Sequence, residues 1–282
     1  MRYFSYNGKI QPEGGLIVGP DNRGLRYGDG LFETMKFTKG NIVLLEEHLS
    51  RLWTGLHMLD FTLPAHGSKA ALTADIMALL KKNNDATARI RLTVLRGDGG
   101  LYDPANHHAN FIIQTWPLAT LPQKLNENGL EICVYEDARK SCDLFSNLKH
   151  NNFLCYLMGA LHAKKNKCND ALILNQHSRV CDSTIANIFI VNDTTITTPA
   201  LKEGCVAGVM RQFFVDSLPA LGFDVIESAL TVEDLMNAEE LFLTNSIFNM
   251  RWVKSLNTKL FDNSRIRRIH ERLCQTKGNA FC

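Results

Sequence analysis

The amino-acid sequence predicts a mixed α/β protein of two domains, and three observations carry that prediction. The 282 residues are about twice the ~150 of a common domain. Strand-like and helix-like patterns occur in both halves, which excludes an all-α or all-β chain. Pro117 and Pro122 bracket a short segment that cannot continue a strand ladder. The predicted organisation is a smaller N-terminal domain over 1–116, a linker over 117–122 and a larger C-terminal domain over 123–282.

In the first part, Asn41 to Leu45 reads as a strand, Glu46 to Met58 as a helix and Lys69 to Lys82 as a second helix. Arg89 to Leu95 alternates charged and apolar residues and Asn110 to Trp116 is mostly apolar, so both read as strands. After the prolines, Leu130 to Tyr135, Ala171 to Asn175, Asn187 to Asn192 and Leu241 to Thr244 have the β-branched, apolar character of strands. Helical patterns run over Asn152 to Lys165, Gly208 to Leu221 and Arg265 to Lys277.

Composition narrows the function. Thirty-one Lys and Arg against 29 Asp and Glu leave a charge of +2, too little to gather nucleic acid or anionic lipid. The apolar stretch Phe153 to Ala163 is shorter than the ~20 residues of a membrane span, and the first residues lack a signal-peptide core, so a cytoplasmic protein without membrane or nucleic-acid partners is expected. The eight cysteines contain no C-x-x-C pair, against zinc and thioredoxin-like chemistry, and most read as reduced, buried small hydrophobes. No metal site is expected.

Four features suggest chemistry. Lys149 precedes a predicted helix that Asn151 or Asn152 could cap, where the positive end of the dipole disfavours an ammonium and favours a neutral amine nucleophile; a solvated surface lysine is the plain alternative. Gly204 to Arg211 is a glycine-bracketed turn feeding a helix, whose N–H groups near Gly208, Val209 and Met210 suit a phosphate; a glycine that merely turns the corner is the plain alternative. Arg51 suits a phosphate too, or pairs with Glu47 one turn away. Asp182 stands just ahead of a buried strand and needs solvent or a cation. Together these supply what pyridoxal 5′-phosphate needs: an imine, phosphate neutralisation and a counter-ion for the pyridine nitrogen.

The same residues resemble the class IV, or fold type IV, pyridoxal-phosphate enzymes: branched-chain aminotransferases, D-amino acid aminotransferases and 4-amino-4-deoxychorismate lyases. Arg26-Tyr27-Gly28-Asp29-Gly30-Leu31-Phe32-Glu33 is similar to the YGDG-x-FE block and Glu47-His48-Leu49-Ser50-Arg51-Leu52 to the EH-x-x-RL helix. Leu148-Lys149-His150-Asn151-Asn152 resembles the lysine motif, followed in order by Asp170 to Leu174, Asn187-Ile188-Phe189, Gly208-Val209-Met210-Arg211 and Leu243-Thr244-Asn245-Ser246. The resemblance implies a D-amino acid aminotransferase-like fold with the active site in the cleft between the domains, and a homodimer. It implies that Lys149 forms the Schiff base and shuttles the α-proton, and that Arg51, the Val209 and Met210 N–H groups and Ser246 hold the phosphate. Asp182 then faces the pyridine nitrogen. Two departures stand out: Asp182 is one methylene shorter than the usual Glu, and Met210 replaces a threonine.

Within the family, Lys36 stands where branched-chain enzymes carry Arg. The arginine and histidine carboxylate trap of D-amino acid aminotransferases is missing after Arg96-Gly97. Arg96-Gly97-Asp98-Gly99-Gly100 and Leu148-Lys149-His150 look closer to the lyases. The expected activity is transfer of an amino group between an amino acid, branched-chain-like or D, and a 2-oxo acid. The alternatives are the lyase, releasing pyruvate and 4-aminobenzoate, and a non-catalytic relative. Tyr27, Phe32 and Lys36 are the expected substrate contacts.

Overall fold

The computed structural model describes residues 1–15, 17–103, 105–119 and 124–281, with the side chains of 279 and 280 excepted. The chain divides into two compact units, Met1–Leu121 with Leu148–Asn152, and Pro122–Asn147 with Phe153–Cys282. Of the predicted linker, 120–122 lie outside the described residues, and Pro117 is the last residue of a strand, where its missing N–H costs no further ladder bond.

In the first unit, strands β1 (Tyr3–Tyr6), β2 (Lys9–Pro12), β3 (Gly30–Thr38), β4 (Asn41–Ile42), β5 (Ala88–Arg96) and β6 (Ala109–Pro117) form a sheet in the order β2-β1-β6-β5-β3-β4 among the described residues. Every pairing in it is antiparallel. Helices α1 (Arg23–Tyr27), α2 (Leu45–Met58) and α3 (Lys69–Asn83) complete the unit. Leu49, Leu52 and Leu56 of α2 and Leu72, Ile76 and Leu79 of α3 recur at helical spacing and are buried. The predicted strand to Leu45 stops at Ile42, because Leu44 takes a left-handed conformation and turns the chain into α2.

In the second unit, β7 (Leu130–Lys140), β8 (Asp170–Asn175), β9 (Val180–Ser183), β10 (Asn187–Asn192), β11 (Thr195–Pro199), β12 (Asp224–Ser228), β13 (Glu240–Asn245) and β14 (Asn249–Leu256) form one mixed sheet. Their order is β12-β11-β10-β13-β14-β7-β8-β9, and β15 (Lys259–Leu260) pairs with β14. Helix α4 (Leu154–Lys165) packs Tyr156, Gly159 and Ala163 toward this core, joined by α5 (Val209–Ser217), α6 (Val232–Asn237) and α7 (Ser264–Phe281). The predicted helix to Leu221 breaks at Leu218, since Pro219 has no N–H for an α-helical bond and opens a separate 3₁₀ turn. Six of the cysteines are free thiols, while Cys274 is disulfide-bonded.

Candidate active site

The R-Y-G-D-G-L-F-E block is a set of structural fasteners around one strand. Gly28 caps α1 in a left-handed conformation, φ 67°, and a side chain there would collide with Asn152. Asp29 is clamped by Arg23 Nε at 2.9 Å and Arg96 Nε at 3.0 Å. At Gly30 a Cβ would strike both the Val94 carbonyl and the Asn151 amide. Phe32 N–H then donates to the Lys149 carbonyl at 2.9 Å, and Asn151 N–H to the Gly30 carbonyl at 2.9 Å. These bonds tie the lysine segment to β3. Lys149 therefore belongs to the first unit by packing, where sequence alone puts it in the C-terminal domain. Asn151 and Asn152 face these glycines and do not cap α4, which starts at Leu154 behind Phe153 with no side-chain cap.

Glu33 explains the EH-x-x-RL helix. Its carboxylate accepts from Arg51 Nε at 2.8 Å, Arg51 Nη2 at 2.5 Å and His48 Nδ1 at 2.7 Å. Burial pushes the Glu33 carboxyl up, but Arg51 and His48 outweigh it and hold it at about 2. Burial lowers the His48 pKa, so His48 stays a neutral donor toward Glu33, and its Nε2 is buried without a hydrogen-bond partner. Arg51 thus pairs with Glu33 across to β3. Of the three side chains only Arg51 reaches the surface appreciably, at 13 % exposure against 1 % for Glu33 and 0 % for His48.

The opposite face of β3 carries the cations. Lys149 Nζ lies 4.6 Å from the Phe32 ring centroid and the Arg91 guanidinium 4.0 Å. Arg91 was not singled out from sequence, where it reads as the charged position of an alternating strand. It is half-buried, forms no ion pair among the described residues, and donates through Nε to Thr93 Oγ1 at 3.2 Å. Burial, with Arg89 beside it, pushes its pKa down. Lys36 shares this face, two pleats beyond Phe32; burial and the neighbouring Lys39 lower it to about 8. Tyr27 is elsewhere, at the end of α1, its ring packed by the Arg23 and Arg26 guanidinium groups at 5.2 Å each and by Tyr102.

The second unit holds Asp182 in a separate, fully buried network. Asp182 Oδ2 accepts from Tyr156 Oη at 2.7 Å, Val206 N–H at 2.9 Å and Lys140 Nζ at 3.4 Å, while Oδ1 accepts from Asn187 Nδ2 at 2.8 Å. Burial raises its pKa against the opposing pull of Lys140 and these hydrogen bonds. The cation that Asp182 needs is thus supplied partly by Lys140, a residue sequence reasoning passed over because it ends β7 far from Asp182 in the chain. Beside this network Gly208 precedes α5, and a Cβ on it would collide with Asn187 Oδ1. Val209 and Met210 begin α5, where N–H groups have no acceptor in their own helix. Arg211 turns into the core instead, donating to the Pro199 carbonyl at 2.8 Å and pairing with Glu227. Ser246 sits half-buried in the turn between β13 and β14, and Thr244, paired across the ladder with Asn187, has a buried hydroxyl without a partner.

A family model described as amino-transferase class IV matches residues 30–256. The aminodeoxychorismate lyase of Vibrio harveyi is 29 % identical over 238 residues, 84 % of this chain and 86 % of that one. Among solved structures, the branched-chain aminotransferase of Thermoproteus uzoniensis superposes with a TM-score of 0.88 at 20 % identity, covering 99 % of this chain and 97 % of that one. The 4-amino-4-deoxychorismate lyase of Pseudomonas aeruginosa gives 0.85 at 28 % identity, covering 97 % and 98 %.

Proposed function

The chain belongs to the class IV aminotransferases, and from that premise we propose that it uses pyridoxal 5′-phosphate to move an amino group between an amino acid and a 2-oxo acid. One observation carries the reading: Lys149, whose motif resembles the family's lysine motif, accepts a backbone hydrogen bond from Phe32 of β3 in a segment that Asn151 also ties to Gly30, with its amine against the Phe32 ring. The residues present fit the cofactor. Thr244 leaves a buried hydroxyl unsatisfied beside Asn187, Gly208 keeps a close approach that a Cβ would fill, and the N–H groups of Val209 and Met210 await an acceptor. Bound there, pyridoxal phosphate would supply an electron sink for the substrate α-carbon.

In this reading Lys149 holds the cofactor aldehyde and then carries the proton at the substrate α-carbon. Arg51, with Ser246 and the Val209 and Met210 N–H groups, holds the phosphate. The Glu33 pairing fixes the guanidinium plane. Asp182 faces the ring nitrogen. Phe32 lines the substrate pocket, and Lys36 with Arg91 takes a substrate's side-chain carboxylate, because Arg91 has charge and donors but no acid paired with it among the described residues.

The lyase is the second reading, favoured by 28 % and 29 % identity to two such enzymes over most of the chain. Incubation with L- and D-amino acids and 2-oxo acids, beside aminodeoxychorismate, separates the two. Amino transfer without pyruvate release supports the aminotransferase, and pyruvate release without transfer overturns it. A visible cofactor band lost in Lys149→Ala supports both against a non-catalytic relative. A second copy of the chain is the proposed partner: Leu154, Leu157, Met158 and Leu161 form one apolar stripe on α4, each between 42 % and 70 % exposed. No described helix is long and apolar enough to cross a membrane.

A further inference from the structure

Lys140 has no part in the chemistry assigned above, yet it is 8 % exposed and its ammonium is aimed at the buried carboxylate of Asp182. It ends β7 beyond an irregularity in the β7–β8 ladder that sets Lys140 opposite Asn175. Its Nζ donates to Tyr156 Oη at 2.6 Å and to Asp182 Oδ2 at 3.4 Å, and lies 5.1 Å from the Tyr156 ring centroid. Among the described residues Asp182 is the only carboxylate it pairs with.

The two oxygens of Asp182 are unequally used. Oδ2 receives three donors, Tyr156, Val206 and Lys140, and a carboxylate oxygen has about two lone pairs to offer. Among the described residues Oδ1 receives only Asn187, which leaves one of its two lone pairs for another donor. Resting on the assignment of Asp182 to the ring nitrogen, we infer that Lys140 is a positioning residue that, with Tyr156, occupies Oδ2, leaves Oδ1 to the ring nitrogen, and loosens that nitrogen's hold on its proton.

The physical reason is a count of charges. A buried ammonium without a counter-ion is costly, so Lys140 and Asp182 each need the other. A protonated ring nitrogen at Oδ1 puts two cations on one carboxylate, and each weakens the other's claim on it. The remaining titratable neighbours do not relieve this. Burial pushes the Tyr156 hydroxyl and the Cys181, Cys205 and Cys155 thiols up, so all four stay neutral. Arg139, just before Lys140 on the chain, is a further cation felt at Cys155. Tyr156 meanwhile joins the two charges, accepting from Lys140 and donating to Asp182, so the pair acts as a unit.

The test uses holoenzyme loaded with ¹⁵N-labelled pyridoxal 5′-phosphate and follows the ring-nitrogen chemical shift against pH. Lys140→Gln, which keeps a donor but removes the charge, should raise the pH at which the nitrogen loses its proton by on the order of one unit or more. Lys140→Met should raise it as well, so the reading survives if one variant fails to fold. Lys140→Arg should stay at the wild-type value, and Asp182→Asn should lower it. An unmoved midpoint in both neutral Lys140 variants, with a lowered one in Asp182→Asn, overturns the inference alone. A midpoint indifferent to Asp182→Asn overturns the assignment of Asp182, and a protein that takes up no cofactor overturns the function proposed above; the inference falls with either.

Discussion

Glu33→Gln is the sharpest probe of the first unit, because it removes the charge to which Arg51 and His48 both donate while keeping the shape of the side chain. Glu33 is held at about 2 against an ordinary 4.5, so folding is favoured by about 2.5 pH units of proton affinity, roughly 3 kcal/mol. Its folded pKa is depressed, so this stability is fully present above pH 4.5 and is lost as pH falls through about 2. His48 acts in the same direction: its pKa is lowered from 6.5, so the unfolded chain takes up its proton first and stability declines as pH falls through that value. The wild-type protein should therefore begin to weaken near pH 6.5 and weaken more steeply below 4.5. Glu33→Gln should lose roughly 3 kcal/mol at neutral pH and lack the steeper lower step. Urea unfolding in a Trp252→Phe background reads this from Trp53 and Trp116, which both lie in the first unit. A loss below about 1 kcal/mol, or an unchanged acid limb, would refute the pairing as the source of stability.

Gly208→Ala should push Asn187 off Asp182 and weaken cofactor binding by about tenfold or more, read by titration with pyridoxal phosphate; wild-type affinity would mean that Asn187 yields at no cost. Arg91→Ala should raise KM for substrates with a side-chain carboxylate by about tenfold to a hundredfold while leaving apolar ones near the wild-type value, and an equal loss for both would remove Arg91 from substrate selection. Leu157→Asp with Leu161→Asp should turn a sedimenting dimer into a folded monomer, and a dimer that persists would place the interface off α4.

The elements most legible in the sequence were those whose burial leaves a periodic trace. Asn187 to Asn192 and helices α2 and α3 stand within a residue or so of where apolar spacing puts them. Strand β3 left no such trace. Its residues from Gly30 to Glu33 are buried on both faces, Leu31 and Glu33 on one, in the core and in an ion pair, and Phe32 on the other, so no alternation survives to be read. The strand that carries Phe32 and anchors Lys149 was therefore found only as a motif. The motif was legible for a physical reason: its glycines, its aspartate and its glutamate each meet a constraint that few other residues satisfy. Its partners were not legible, because a carboxylate such as Glu33 announces its need for cations without naming them. The same holds for Asp182, whose need was evident from burial while Lys140, 42 positions away, was not. A sequence thus marks the groups that must be satisfied, and the fold decides which residues satisfy them. For this chain that decision bears on the proposed chemistry: a carboxylate that meets a ring nitrogen alone and one already shared with an ammonium hold that nitrogen's proton with different strength, and Asp182 is shared with the Lys140 ammonium.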